Sequence, residues 1–89
     1  HKGTVARWGG EEFAVLLPDT PLREAMLICD QLRLAVEAID CSSYAPGARL
    51  TISAGVVDRT GISHHEKMVS QADRLLYMAK AAGRNRVCG

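Results

Sequence analysis

The sequence predicts an α+β fold, and three observations carry that prediction. Two short apolar runs flank a Gly-Gly pair, two longer stretches repeat apolar residues at spacings of three and four, and "LTISAGVV" between those stretches alternates with a period of two. The resulting order of hairpin, helix, strand, helix and strand implies helices packed on an antiparallel or mixed sheet.

The first run, Val5 to Trp8, and the second, Phe13 to Leu17, read as strands. Gly9 and Gly10 between them are a two-residue turn signal, because such turns need a positive φ that glycine adopts without steric penalty. Pro18-Asp19-Thr20-Pro21 ends the second strand and opens a helix, with Thr20 as N-cap and Pro21 in the first helical position. From Leu22 to Ile39 the residues Leu22, Ala25, Met26, Cys29, Leu32, Val36 and Ile39 form one stripe, with Arg23, Glu24, Asp30, Arg33 and Glu37 lying mostly between them. Cys41 to Arg49, with its serines, proline and glycine, is a loop. Leu50 to Val57 is the alternating strand, and its small Gly55 marks a point where another element can approach closely. After a turn over Asp58 to Ile62, Ser63 and Glu66 fit a capping box, and Val69, Ala72, Leu76 and Ala79 share one face of a second helix. Gly83 is placed to cap its C-terminus, and Arg86 to Cys88 form a last short strand.

At 89 residues the chain is one domain at most, large enough to bury roughly two thirds of its unfolded surface. Two hairpin strands are too few to cover two helices, and the chain starts at His1 almost inside a strand. Residues 1–89 are therefore expected to be the C-terminal portion of a single domain that has further N-terminal material. The net charge of +1 with interspersed signs gives no reason to expect a nucleic-acid polymer or an anionic membrane as partner. No long apolar run or signal-peptide pattern is present, so the cytoplasm is the default location, with anchoring by other domains of a longer protein left open. Cys29, Cys41 and Cys88 are odd in number and widely spaced, which reads as reduced, small apolar residues and not as a disulfide or zinc framework.

Two constellations could carry chemistry. Glu11 and Glu12 place adjacent carboxylates beside a glycine turn, a donor type suited to Mg²⁺, with the glycines leaving room for a bulky ligand to reach the backbone. The same residues also read as an ordinary turn with solvated glutamates. Lys80 and Arg84 are four apart at the end of the second helix, so they are expected on one side, where two cations can clamp a phosphate chain. A solvated helix end is the plain alternative. His64 and His65 are adjacent, on different helix faces and without a third ligand, Trp8 reads as packing, and Asp73 as a surface group.

Taken together, "RWGGEEF", a helix, "LTISAG" and "ADRLLYMAKAAGRNRV" resemble the GGDEF family of diguanylate cyclases in its GGEEF spelling. The resemblance runs from about Arg7 to Val87. It implies a nucleotide-cyclase palm, a central sheet with flanking helices, whose members condense two GTP molecules into cyclic di-3′,5′-guanylate and release pyrophosphate. It implies that Gly9 and Gly10 lie against the substrate, that Glu11 is a metal ligand assisting deprotonation of the 3′-hydroxyl, and that Glu12 is a second acid at the metals. Lys80 and Arg84 match the family's lysine and arginine that hold the terminal phosphates. The implied cofactor is Mg²⁺ or Mn²⁺, and the implied partners are GTP, a second GGDEF domain supplying the other half-site, and an N-terminal regulatory or sensory domain.

In complete family members an upstream strand supplies a metal-binding aspartate and carbonyl, and an adjoining helix supplies an asparagine and an aspartate that read guanine. These are not in the 89 residues, so the isolated segment is expected to be inactive. The family's product-inhibition site uses an Arg-x-x-Asp that would end at Gly3 and an arginine that would align with Gln31, so feedback through that site is not expected. The rival reading is a noncatalytic GGDEF-like module that binds GTP or a partner domain. A third is a structural unit that exchanges elements between copies through its exposed strand edges.

Overall fold

The computed structural model describes residues 4–9, 12–59 and 64–89. Its elements are β1 (Thr4–Gly9), β2 (Glu12–Leu16), α1 (Leu22–Glu37), β3 (Ala54–Gly55), α2 (His65–Ala81) and β4 (Val87–Cys88). The α+β class is as the sequence predicts, and both kinds of strand pairing occur. β1 and β2 are antiparallel, whereas β3 and β4 are parallel, with Ala54 opposite Val87 and Gly55 opposite Cys88.

The hairpin is offset from its expected place. Arg7 pairs with Phe13 but Gly9 pairs with Glu12, so the register shifts by one residue and Trp8 is the extra residue of a bulge. Gly9 is thus a ladder residue and not the first residue of the turn. Gly10 and Glu11, which link the two strands, lie outside the described residues, as do Gly3, residues 60–62 of the second expected turn, and the expected cap Ser63.

α1 starts one residue later than the capping pattern suggests. Pro21, at φ −67° and ψ 156°, is itself the N-cap, and its carbonyl accepts the first helical bond from the Ala25 amide at 2.9 Å. The Thr20 hydroxyl instead donates to the Pro18 carbonyl at 2.9 Å, across a turn in which Asp19 has φ 52°. A hydroxyl spent on the preceding turn leaves the helix entry to proline's fixed φ, which already suits it.

The expected α1 stripe is only partly covered. Ala25 is buried and Leu22, Met26, Cys29 and Val36 are half-buried, but Leu32 and Ile39 are about half exposed. Ile39 falls beyond the helix, whose C-cap is Ala38. The expected α2 stripe holds, with Ala79 fully buried and Val69, Ala72 and Leu76 half-buried. Val56 joins Ala25 and Ala79 as the best-buried apolar residues among those described.

The strand expected over Leu50 to Val57 contracts to Ala54–Gly55. A ladder is as long as its partner, and β4 offers only Val87 and Cys88, flanked by bonds from the Ala54 amide to the Arg86 carbonyl and from the Val56 amide to the Cys88 carbonyl. α2 packs directly on this pair. A Cβ on Gly55 would lie 2.3 Å from the Ala72 carbonyl oxygen and 2.4 Å from the Leu76 amide nitrogen. The small residue therefore lets strand and helix backbones meet, as its place in the sequence suggests.

Candidate nucleotide site

The described part of the acidic end is its backbone. Glu12 stands opposite Gly9 in the ladder, beside the bulge. A bulge re-aims the residues that follow it and ends regular pairing, a frequent arrangement beside functional sites. Among the described residues no three His, Cys, Asp or Glu side chains converge on a metal position. His64 and His65 are exposed, His64 as the N-cap of α2 and His65 as its first residue.

The cationic end is fully described. Lys80 lies in the last turn of α2, where a cation offsets the negative end of the helix dipole. Arg84 is not on that helix, which ends at Ala81. Helical spacing thus does not bring the two together. The chain leaves the helix in a Schellman turn: the Gly83 amide donates to the Lys80 carbonyl at 3.3 Å and the Arg84 amide to the Ala79 carbonyl at 3.0 Å, which ties the Arg84 backbone to the last turn of α2. Gly83 has φ 124°, so the expected glycine cap is present.

Arg84 and Asn85 continue in left-handed backbone, at φ 63° and 48°. Asparagine takes this conformation readily and arginine does not, at a cost on the order of 1–2 kcal/mol that the surroundings must offset. The surroundings do so with fixed partners. The Arg84 carbonyl accepts a bond from Arg86 Nε at 3.0 Å, leaving the exposed Arg84 side chain on a backbone held at both its amide and its carbonyl.

Asn85 is the residue that sequence reasoning missed. Its amide donates to Ser53 Oγ at 3.0 Å, its Nδ2 donates to Glu37 Oε2, and its Oδ1 accepts from Arg33 Nη1 at 3.1 Å. Arg33 Nη1 also reaches the Asn85 carbonyl at 3.4 Å, while Arg33 Nε pairs with Asp30 Oδ1 at 2.8 Å. The signals available were an asparagine two residues after a glycine cap and Arg33 and Glu37 one helical turn apart.

An open groove of about 640 Å³ runs along α1, lined by Leu22, Arg23, Met26, Leu27, Asp30 and Val87. Neither Lys80 nor Arg84 lines it. Burial raises the Cys29 thiol pKa, which suits its reading as a small apolar residue. Cys41 and Cys88 are likewise free thiols.

A family model for the diguanylate cyclase GGDEF domain matches residues 1–86. The chain belongs to the GGDEF domain family. It is 41% identical over 83 residues to diguanylate cyclase DgcM of Escherichia coli, a match covering 93% of this chain and 20% of that protein. Diguanylate cyclase DgcP of Pseudomonas aeruginosa is 40% identical over 83 residues, covering 93% of this chain and 12% of that protein. The response regulator PleD of Caulobacter vibrioides is 40% identical over 87 residues, covering 93% and 19% respectively. The chain thus spans a fifth or less of the length of these relatives. Diguanylate cyclases of this family are generally metal-dependent. No described helix is long and apolar enough to cross a membrane.

Proposed function

We propose that residues 1–89 are one portion of a GGDEF catalytic domain that condenses two GTP molecules into cyclic di-GMP, releasing pyrophosphate. The end-to-end family match over residues 1–86 is the observation that supports this most strongly. Gly9 and Gly10 leave the approach to the hairpin end open, Glu11 and Glu12 contribute acids there, and Lys80 and Arg84 hold the terminal phosphates.

The assignment follows what the reaction needs. A 3′-oxygen attacks an α-phosphorus in line, so the nucleotide must be held rigidly while negative charge gathers on the departing pyrophosphate. Lysine supplies a point charge and arginine a planar fork toward those oxygens. The C-terminal end of α2 has no free amides to offer an anion, so phosphate binding at this place depends on side-chain cations. Glu11 would ligate the metal and assist removal of the 3′-hydroxyl proton, with Glu12 beside it. Bound Mg²⁺ or Mn²⁺ would make that hydroxyl more acidic and offset charge on the leaving group.

Each domain carries half of a two-substrate reaction, so turnover requires two domains facing each other, paired under the control of an N-terminal regulatory or sensory domain. The 89 residues alone are inactive in this reading, because the upstream aspartate and carbonyl that the family resemblance adds to the metal site, and the residues that read guanine, are not among them. The test is cyclic di-GMP production from GTP and Mg²⁺ by the full-length protein, beside its Glu11→Ala and Glu12→Ala variants and beside the isolated segment. Product from the parent, lost in both variants and absent from the segment, is expected. An ordered, dimeric parent that makes no product would leave a noncatalytic GTP-binding or partner-binding module as the better reading.

A further inference from the structure

We propose that Asn85 is a positioning residue that aims the Arg84 guanidinium at the terminal phosphates, by tying the turn after α2 to Arg33 and Glu37 of α1 and to Ser53. This rests on the reading of Arg84 as a phosphate-holding cation.

Arg84 is exposed and long, so its reach is set by where its backbone points. Behind it the backbone is fixed by the Schellman bonds to Ala79 and Lys80, which are local to α2. Ahead of it the chain is fixed by Asn85, whose partners lie far away in sequence: Arg33 is 52 positions distant, Glu37 48 and Ser53 32. All the hydrogen-bonding groups that Asn85 presents are engaged, its amide, its carbonyl and both ends of its side chain. Such saturation fixes one orientation of the turn, and with it the origin of the Arg84 side chain. The bond from Arg86 Nε to the Arg84 carbonyl closes the same turn from its outer side. Two anchors therefore bracket Arg84, and two of the three bonds that α1 supplies go to the Asn85 side chain.

The discriminating variant is Asn85→Gly in the full-length protein, because glycine accepts φ 48° without strain while deleting both side-chain bonds to α1 and keeping only the longer Arg33 bond to the backbone carbonyl. Equilibrium binding of GTP and of GMP is measured for Asn85→Gly, Arg84→Ala and the double variant, with thermal melts run alongside. Asn85→Gly is expected to weaken GTP about tenfold and GMP less than twofold, since GMP lacks the terminal phosphates. In the Arg84→Ala background the same change is expected to add less than twofold. Glu37→Ala, which leaves Asn85 and the turn in place, should weaken GTP about threefold and serves if Asn85→Gly melts below the assay temperature.

Equal loss of GTP and GMP binding would overturn the proposal, as a purely structural role predicts that result. So would independent, multiplying effects of the Asn85 and Arg84 variants. Unchanged GTP binding in Arg84→Ala would instead remove Arg84 from the phosphate site, and the positioning role would fall with it.

Discussion

The Cβ that Gly55 lacks would fall 2.3 Å from the carbonyl oxygen of Ala72, so β3 and α2 touch backbone to backbone. That oxygen and the Leu76 amide, 2.4 Å from the same point, are partners four apart along the helix ladder. Neither can move aside without displacing a turn of α2. Gly55→Ala is expected to destabilise the chain by about 3 kcal/mol, at the upper end of ordinary overpacking. Urea unfolding followed by circular dichroism measures this, and a loss below 1 kcal/mol would mean the helix can slide.

Gly83→Ala meets a different obstacle. At φ 124° the backbone is strained for any side chain, and the new Cβ would lie 2.8 Å from Arg86 Nη2. The guanidinium can swing away, but only by giving up its bond to the Arg84 carbonyl. A cost of about 2 kcal/mol is expected from backbone strain plus one lost hydrogen bond. Arg86→Ala, which loses the bond alone, should cost about half as much in the same denaturation experiment.

Arg33→Ala is expected to destabilise by about 2 kcal/mol, because it strips charge-assisted partners from both Asp30 and Asn85 in a half-buried setting. A double-mutant cycle with Asn85→Ala isolates the cross-link between α1 and the turn. A coupling of about 1 kcal/mol is the expected value for neighbours sharing a network. Strict additivity would show that the contact contributes nothing to folding.

The Cys29 thiol is held above its ordinary pKa by burial, which disfavours the thiolate. The stability this contributes is fully present below the unfolded-state pKa and is lost as pH rises through the higher folded value. Alkylation by iodoacetamide, followed by mass spectrometry across alkaline pH, should therefore show a later midpoint at Cys29 in the folded chain than in urea. Coincident midpoints would mean the thiol is solvated.

What the sequence made legible was what local physics determines. Both helices follow from apolar spacing, Gly83 from the need for a left-handed cap, and Gly55 from a small residue set in an alternating strand. Features that depend on distant partners were not legible. Leu50 to Val57 has the alternation of a full strand, yet its ladder is limited by the two residues of β4. Thr20 has the chemistry of an N-cap, yet its hydroxyl is taken by Pro18.

The site divides in the same way. Lys80 and Arg84 stand four apart, but the helix ends at Ala81 and Arg84 lies in the turn beyond it, so they do not share a helix face. Gly9 was identifiable as part of the hairpin end, but the bulge at Trp8 moves it into the ladder opposite Glu12. Asn85 escaped because its partners on α1 are some fifty positions away, and nothing in the local pattern selects them.

The parallel pairing of β3 with β4 also fixes an order of events in time. Ala54 and Val87 cannot meet until α2 between them has formed and crossed over, so closing this ladder carries the loop entropy of the whole intervening segment. Refolding should then reach this seam late, with the hairpin and helices acquiring protected amides first. The amides of Ala54 and Val56, bonded to Arg86 and Cys88, would be among the last to stop exchanging with solvent. A chain emerging from the ribosome would therefore complete this seam only after Val87 and Cys88 have left the exit tunnel.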